Sequence, residues 1–288
     1  MTTRRIDVGE VRLAVAEAGD PSGEPVILLH GFPELSHSWR HQLPALAEAG
    51  YHAVAPDLRG YGGSDRPAAV EAYAAPKLVG DVAGLIRALG HESAHIVGHD
   101  WGGGLAWGLA GNAPQMVRSL TILNAPQGPV SARLRHEDPA QQAKSWYMLL
   151  FQFPGVAETW LSQDDFANLH SFVFDTAAPG AFPEEDRRHF IEALSKDGAL
   201  TAALNWYRAN MPPSSWLRRP PDPPRITVPT LIIWGEADAN MDIRLLELSA
   251  ATVTAPLRVE RLPGVSHWVQ QEVPEKVNEL LVDFLRSL

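Results

Sequence analysis

The sequence predicts an α/β fold: a mostly parallel, doubly wound sheet with a helical lid inserted into it. Three observations predict this. Short apolar runs recur along the chain, amphipathic stretches of helical period separate most of them, and the alternation stops between residues 128 and 222 before one more apolar run follows. Ile6 and Val8, then Val11, Leu13 and Val15, alternate with polar neighbours around Gly9-Glu10. A glycine-first pair suits a tight hairpin turn, so an antiparallel hairpin is expected first. Residues 26–29, 52–55, 95–97, 120–123 and 230–234 are apolar on both faces, as buried parallel strands must be. Leu78, Val82, Leu85, Ile86 and Leu89 fall on one helical face. Aromatic-rich helical segments are expected around residues 146–151 and 190–211, and residues 211–225 carry six prolines. Proline suits neither a helix interior nor a central strand, so this stretch reads as a rigid connector back to the sheet. The expected division is a core of residues 1–128 and 225–288 and a lid of residues 129–224.

Bulk composition excludes several classes. Of 288 residues, 45% are hydrophobic and 20% charged, enough to bury a real core. The net charge of −10 is scattered and no basic stripe exists, so nucleic acid is not an expected partner. The absence of cysteine removes disulfides, thiol nucleophiles and thiolate metal sites together. The N-terminus lacks the apolar region of a secretory signal and no uncharged apolar run is long enough to span a membrane, so a cytoplasmic protein without a membrane partner is expected. A monomer and a homo-oligomer fit equally.

The strongest chemical signal is Gly98-x-Asp100-x-Gly102, between an apolar run and a stretch of small residues. This is the nucleophile-elbow pattern of the α/β-hydrolase fold, with aspartate where serine usually sits. A helix N-cap aspartate would fit the five residues alone equally well; two further signals favour catalysis. The segment His30-Gly-Phe-Pro-Glu34 follows an apolar run at the place where such folds supply one oxyanion N–H; the residue after the nucleophile supplies the other. Those donors would be the backbone amides of Phe32 and Trp101. The Phe32–Pro33 bond is a candidate cis bond. His30 reads as structural, and Glu34 as either a group behind the catalytic histidine or a surface charge. The third signal is Asp238 at the end of the last buried run, with His267 on a later loop. The order Asp100, Asp238, His267 is nucleophile, acid, histidine, as this fold requires. Glu236 and Asp242 are rivals to Asp238, which its strand-end position favours. His37, His41, His91, His136 and His189 read as surface residues, and His99 as packing.

Together with Asp57-Leu-Arg-Gly-Tyr-Gly-Gly-Ser64-Asp, these motifs resemble the soluble epoxide hydrolases across nearly the whole chain, least between residues 131 and 145 and between 161 and 199. In that family two lid tyrosines hydrogen-bond the epoxide oxygen; the matching positions are Tyr147 and Tyr207, two of only five tyrosines. The Asp57, Arg59 and Ser64 segment reads as loop architecture. The resemblance implies a small-molecule epoxide substrate, an ester on Asp100 hydrolysed by water that His267 activates, and no metal or cofactor. The alternative is a haloalkane or haloacid dehalogenase, which shares the aspartate. A haloacid enzyme would carry arginines just after its nucleophile, where this chain has Trp101, Gly102 and Gly104.

Overall fold

A computed structural model describes residues 2–288. Eight strands form one sheet: β1 (Thr2–Asp7), β2 (Arg12–Ala18), β3 (Glu24–Leu29), β4 (Tyr51–Pro56), β5 (Ala94–His99), β6 (Val117–Leu123), β7 (Thr230–Gly235) and β8 (Leu257–Leu262). Their spatial order is β1-β2-β4-β3-β5-β6-β7-β8. The first two pairings, β1 with β2 and β2 with β4, are antiparallel, and all the others are parallel. The expected hairpin is present, turning through Gly9 at a φ of 119°. The five apolar runs are β3 to β7. Every residue of β5 and β7 is buried, whereas β8, at the sheet edge, alternates exposed and half-buried positions.

Helices cover both faces. Alternate residues of β3 divide between them: Val26 and Leu28 pack with α1 (Gln42–Glu48) and α12 (Pro274–Arg286), while Ile27 and Leu29 pack with α2 (Ala75–Ala88) and α3 (Trp101–Asn112). That two-residue period explains why these runs must be apolar throughout. Two further helices, α10 (Arg244–Ala250) and the short α11 (Val269–Glu272), flank the C-terminal strands.

Between β6 and β7 lie six helices and no strand: α4 (Gly128–Glu137), α5 (Pro139–Lys144), α6 (Trp146–Leu150), α7 (Val156–Phe172), α8 (Glu184–Leu194) and α9 (Ala199–Asn210). The segment expected around residues 190–211 is two helices, parted at Gly198, which takes a left-handed φ of 68°. The proline-rich connector holds one short turn at Pro213–Leu217 and is otherwise irregular up to Arg225. The insertion is tied to the sheet domain by direct bonds. Trp206 donates its indole N–H to the Arg59 carbonyl at 3.0 Å, and Asp186 of α8 meets both His37 and Arg40, at 2.6 and 2.5 Å. The loop from Asp57 to Ser64 is internally braced. Asp57 accepts from the Ser36 and Gly63 amides, and Arg59 pairs with Asp81. No helix among the described residues is long and apolar enough to cross a membrane.

Candidate active site

Asp100 stands between β5 and α3 with φ 49° and ψ −119°, outside the regions ordinary residues occupy. Its side chain caps no helix amide, which sets aside the N-cap reading. The flanking glycines are there for space. A Cβ on Gly98 would lie 2.4 Å from the Gly102 carbonyl oxygen, and one on Gly102 would lie 2.1 Å from that of Leu29. The sharp turn lifts the carboxylate above the C-terminal edge of the sheet, at the start of α3. There the Phe32 amide donates to Asp100 Oδ1 at 2.9 Å. Of the two expected oxyanion amides, Phe32 thus already touches the carboxylate; that of Trp101, first in α3, forms no hydrogen bond with it. The Phe32–Pro33 bond is cis. His30 is buried, and its Nε2 accepts from the Leu58 amide at 3.0 Å, as a structural residue would.

His267 faces the same carboxylate. Its Nε2 is 3.8 Å from Asp100 Oδ2, and its Nδ1 is 2.7 Å from Asp238 Oδ2. Burial alone would depress the imidazole, but the Asp238 carboxylate, aided by Asp100, overrides it and holds the ring up at about 9. Burial likewise works against the Asp238 charge, and His267 reverses it, leaving the carboxyl below its ordinary range. Asp238 also accepts from Asn124 Nδ2 at 2.9 Å and from the Asn240 and Met241 amides. Neither rival acid reaches the histidine. Asp242 is held by Arg244, which draws it down to about 2, and Glu236 pairs with Arg261.

His99, read as packing rather than catalytic, is buried and also hydrogen-bonded: its Nδ1 lies 3.1 Å from Glu34 and its Nε2 3.0 Å from the His267 carbonyl. Glu34 is therefore a buried group linked through His99 to the His267 backbone and not a surface charge; it is fully buried and also takes a 2.7 Å bond from Gln271. His37, expected at the surface, is half-buried against Asp186.

Tyr147 of α6 and Tyr207 of α9 are buried, with ring centroids 6.0 Å apart. Burial, reinforced by charges that include Asp100, raises both phenols and keeps them protonated donors. They line two cavities that meet at Asp100. The smaller, about 20 Å³, also touches Phe32 and His267; the larger, about 610 Å³, extends between α3 and α4 and is mostly apolar. The structure therefore brings all seven expected residues to one place.

The α/β hydrolase fold model matches residues 24–274. Epoxide hydrolase A of Mycobacterium tuberculosis is 37% identical over 100% of this chain and 98% of its own length. The chain belongs to the epoxide hydrolase family of the α/β-hydrolase fold. Epoxide hydrolase 3 of Xenopus tropicalis is 38% identical over 96% of this chain and 75% of its own. Among solved structures, a Bacillus megaterium epoxide hydrolase in complex with an inhibitor superposes with a TM-score of 0.89 at 32% identity, covering 98% of this chain and 100% of that one.

Three residues around the site have partners that the sequence does not mark. Asn124 follows β6 with φ 39° and bridges β7 to Asp238: its Oδ1 accepts from the Gly235 amide at 2.8 Å while its Nδ2 donates to the carboxylate. No local pattern marks an asparagine whose partners lie 111 and 114 residues away. His99 was visible but its partners were not. Arg135, which lines the larger cavity, falls where the family resemblance is least.

Proposed function

We propose that the protein hydrolyses epoxides to vicinal diols through an ester on Asp100, with residues 129–224 acting as the lid. The observation that carries this reading is the convergence of a carboxylate, a histidine and two phenols on one cavity. In the first step Asp100 attacks a ring carbon and the C–O bond breaks. Tyr147 and Tyr207 donate to the opening oxygen, and one phenol passes it a proton that the His267 imidazolium restores, leaving the imidazole neutral. Two O–H donors suit an oxygen that stays on the substrate and must be protonated; a departing halide needs no proton. Esterification removes the Asp100 charge, one of the groups that hold the proton on His267. The imidazole is then better placed to act as a base. In the second step it takes a proton from water, and hydroxide attacks the ester carbonyl of Asp100. The smaller cavity, beside both residues, has room for about one water. The Phe32 and Trp101 amides hold the oxyanion, and the diol leaves with no net proton consumed.

A single turnover in ¹⁸O-water tests this sequence. Label is expected in the Asp100 carboxylate and absent from the first diol; label in that diol means direct attack by water and overturns the ester. In parallel, His267→Gln is expected to accumulate an adduct equal in mass to one epoxide. Halide release from chloroalkanes by the wild type, at a rate matching epoxide turnover, would restore the dehalogenase alternative.

A further inference from the structure

Helix α4 presents Gly128, Ser131, Ala132 and Arg135 to the larger cavity, at the spacing of one helical face. Arg135 is 5% exposed and forms no salt bridge among the described residues. Its one hydrogen bond runs from Nη1 to the Met148 sulfur at 3.9 Å, a weak acceptor, and its guanidinium lies 5.0 Å from the centre of the Trp216 ring. Burial lowers its basicity, yet an arginine remains charged in proteins. A buried cation without a carboxylate is strongly disfavoured, because neither water nor a counter-charge offsets its desolvation. Here a thioether and an indole hold it in place, leaving Nε and Nη2 without partners beside the cavity. Among the described residues it is the only arginine or lysine lining either cavity. Of the other polar side chains on that wall, the two asparagines, Asn112 and Asn210, are already bonded to backbone groups.

From this unpaired charge at the wall of an apolar cavity, we infer that Arg135 is an anion-recognition residue and that the preferred substrates are epoxides carrying a carboxylate on an apolar chain. This rests on the epoxide reading above. The ring sits at Asp100 between Tyr147 and Tyr207, the chain fills the larger cavity, and the carboxylate takes the bidentate donors of Arg135. A substrate anion approaching Asp100 in a chain of net charge −10 is otherwise repelled, and Arg135 offsets that locally. Specificity follows from what the site leaves unpaired: a neutral chain of equal length leaves the guanidinium buried without a partner, as a site built for a hydrogen-bonding group disfavours the analogue that lacks it.

The test compares a series of terminal epoxy-alkanoates with their methyl esters. In the wild type the acid-to-ester ratio of kcat/KM is expected to favour the acid at one chain length. Arg135→Met should lower that ratio roughly thirty- to a hundred-fold, mainly through KM, Arg135→Gln should lower it similarly, and Arg135→Lys should retain part of it. Using the ratio cancels any general damage to the fold. A ratio that stays within twofold in both neutral variants, or a wild type that prefers the esters at every length, overturns the inference. Calorimetric binding of an unreactive alkanoate and the alkanol of equal length separates the two readings. If neither epoxide is turned over but the alkanoate still binds through Arg135, the epoxide reading falls and the anion site stands. If wild type and Arg135→Met bind the alkanoate equally, the anion site falls alone.

Discussion

At the scale of single residues, the site depends on two charges of opposite sign held close together out of water. His267 lies between Asp100 and Asp238, and the latter is fixed by Asn124 and two backbone amides, so it cannot turn away. This has a consequence for stability. The imidazole is held at about 9 in the folded protein, against roughly 6.5 in an unfolded chain. A raised value means the folded state keeps a proton that the unfolded state releases. The stabilisation is therefore complete below about pH 6.5 and lost as pH rises through about 9. Its ceiling is on the order of 3 kcal/mol. Denaturant melts at a series of pH values should show wild type losing stability relative to His267→Gln across this window. Parallel curves for the two proteins from pH 6 to 10 would show that His267 carries no such excess proton.

Among elements, the elbow joining β5 to α3 is the most constrained piece, because its backbone passes within contact of β3. Gly102→Ala would press a methyl group against the Leu29 carbonyl, and backbone cannot yield as a side chain would. A loss of about 1–3 kcal/mol is expected. Gly104→Ala, in the same helix with open space at its Cβ, should be neutral or gain up to about 1 kcal/mol. Equal stability of Gly102→Ala and wild type in denaturant melts would mean the elbow relaxes freely. The elbow was readable in the sequence because its requirement is local: strand, glycine, aspartate, glycine, helix. So were β3 to β7, whose burial on both faces demands an unbroken apolar run. Edge strand β8 lacks such a run because its residues are half-buried at most. The helices of the insertion were seen only in part, since they are short and pack on one another as well as on the sheet. The seven residues of the proposed site were legible through motifs and the family resemblance they carry, whereas Asn124, the Glu34–His99 link and Arg135 work through partners distant in sequence. Spacing along a chain carries no trace of such partners.

Over the whole molecule, the eight-stranded sheet supplies Asp100, the proposed nucleophile, and the helices between β6 and β7 supply the two phenols, so the proposed site exists only where the two meet. The ties at Trp206 and Asp186 hold that meeting in register. The cavities that join at Asp100 are very unequal, about 610 Å³ on one side and about 20 Å³ on the other. A substituent on the ring carbon therefore has one direction in which to lie. Once it lies there, mirror-image epoxides turn opposite sides of the three-membered ring towards Tyr147 and Tyr207. Only one of the pair aims its oxygen at both hydroxyls while keeping a carbon in line with Asp100. A racemic terminal epoxide should accordingly be consumed one hand first, leaving enriched starting material at half conversion, as chiral chromatography would read directly. Racemic residue at that point would mean that the chain finds room on both sides. Left and right would then be told apart by an imbalance of empty space, with no need for a chiral contact dedicated to the task.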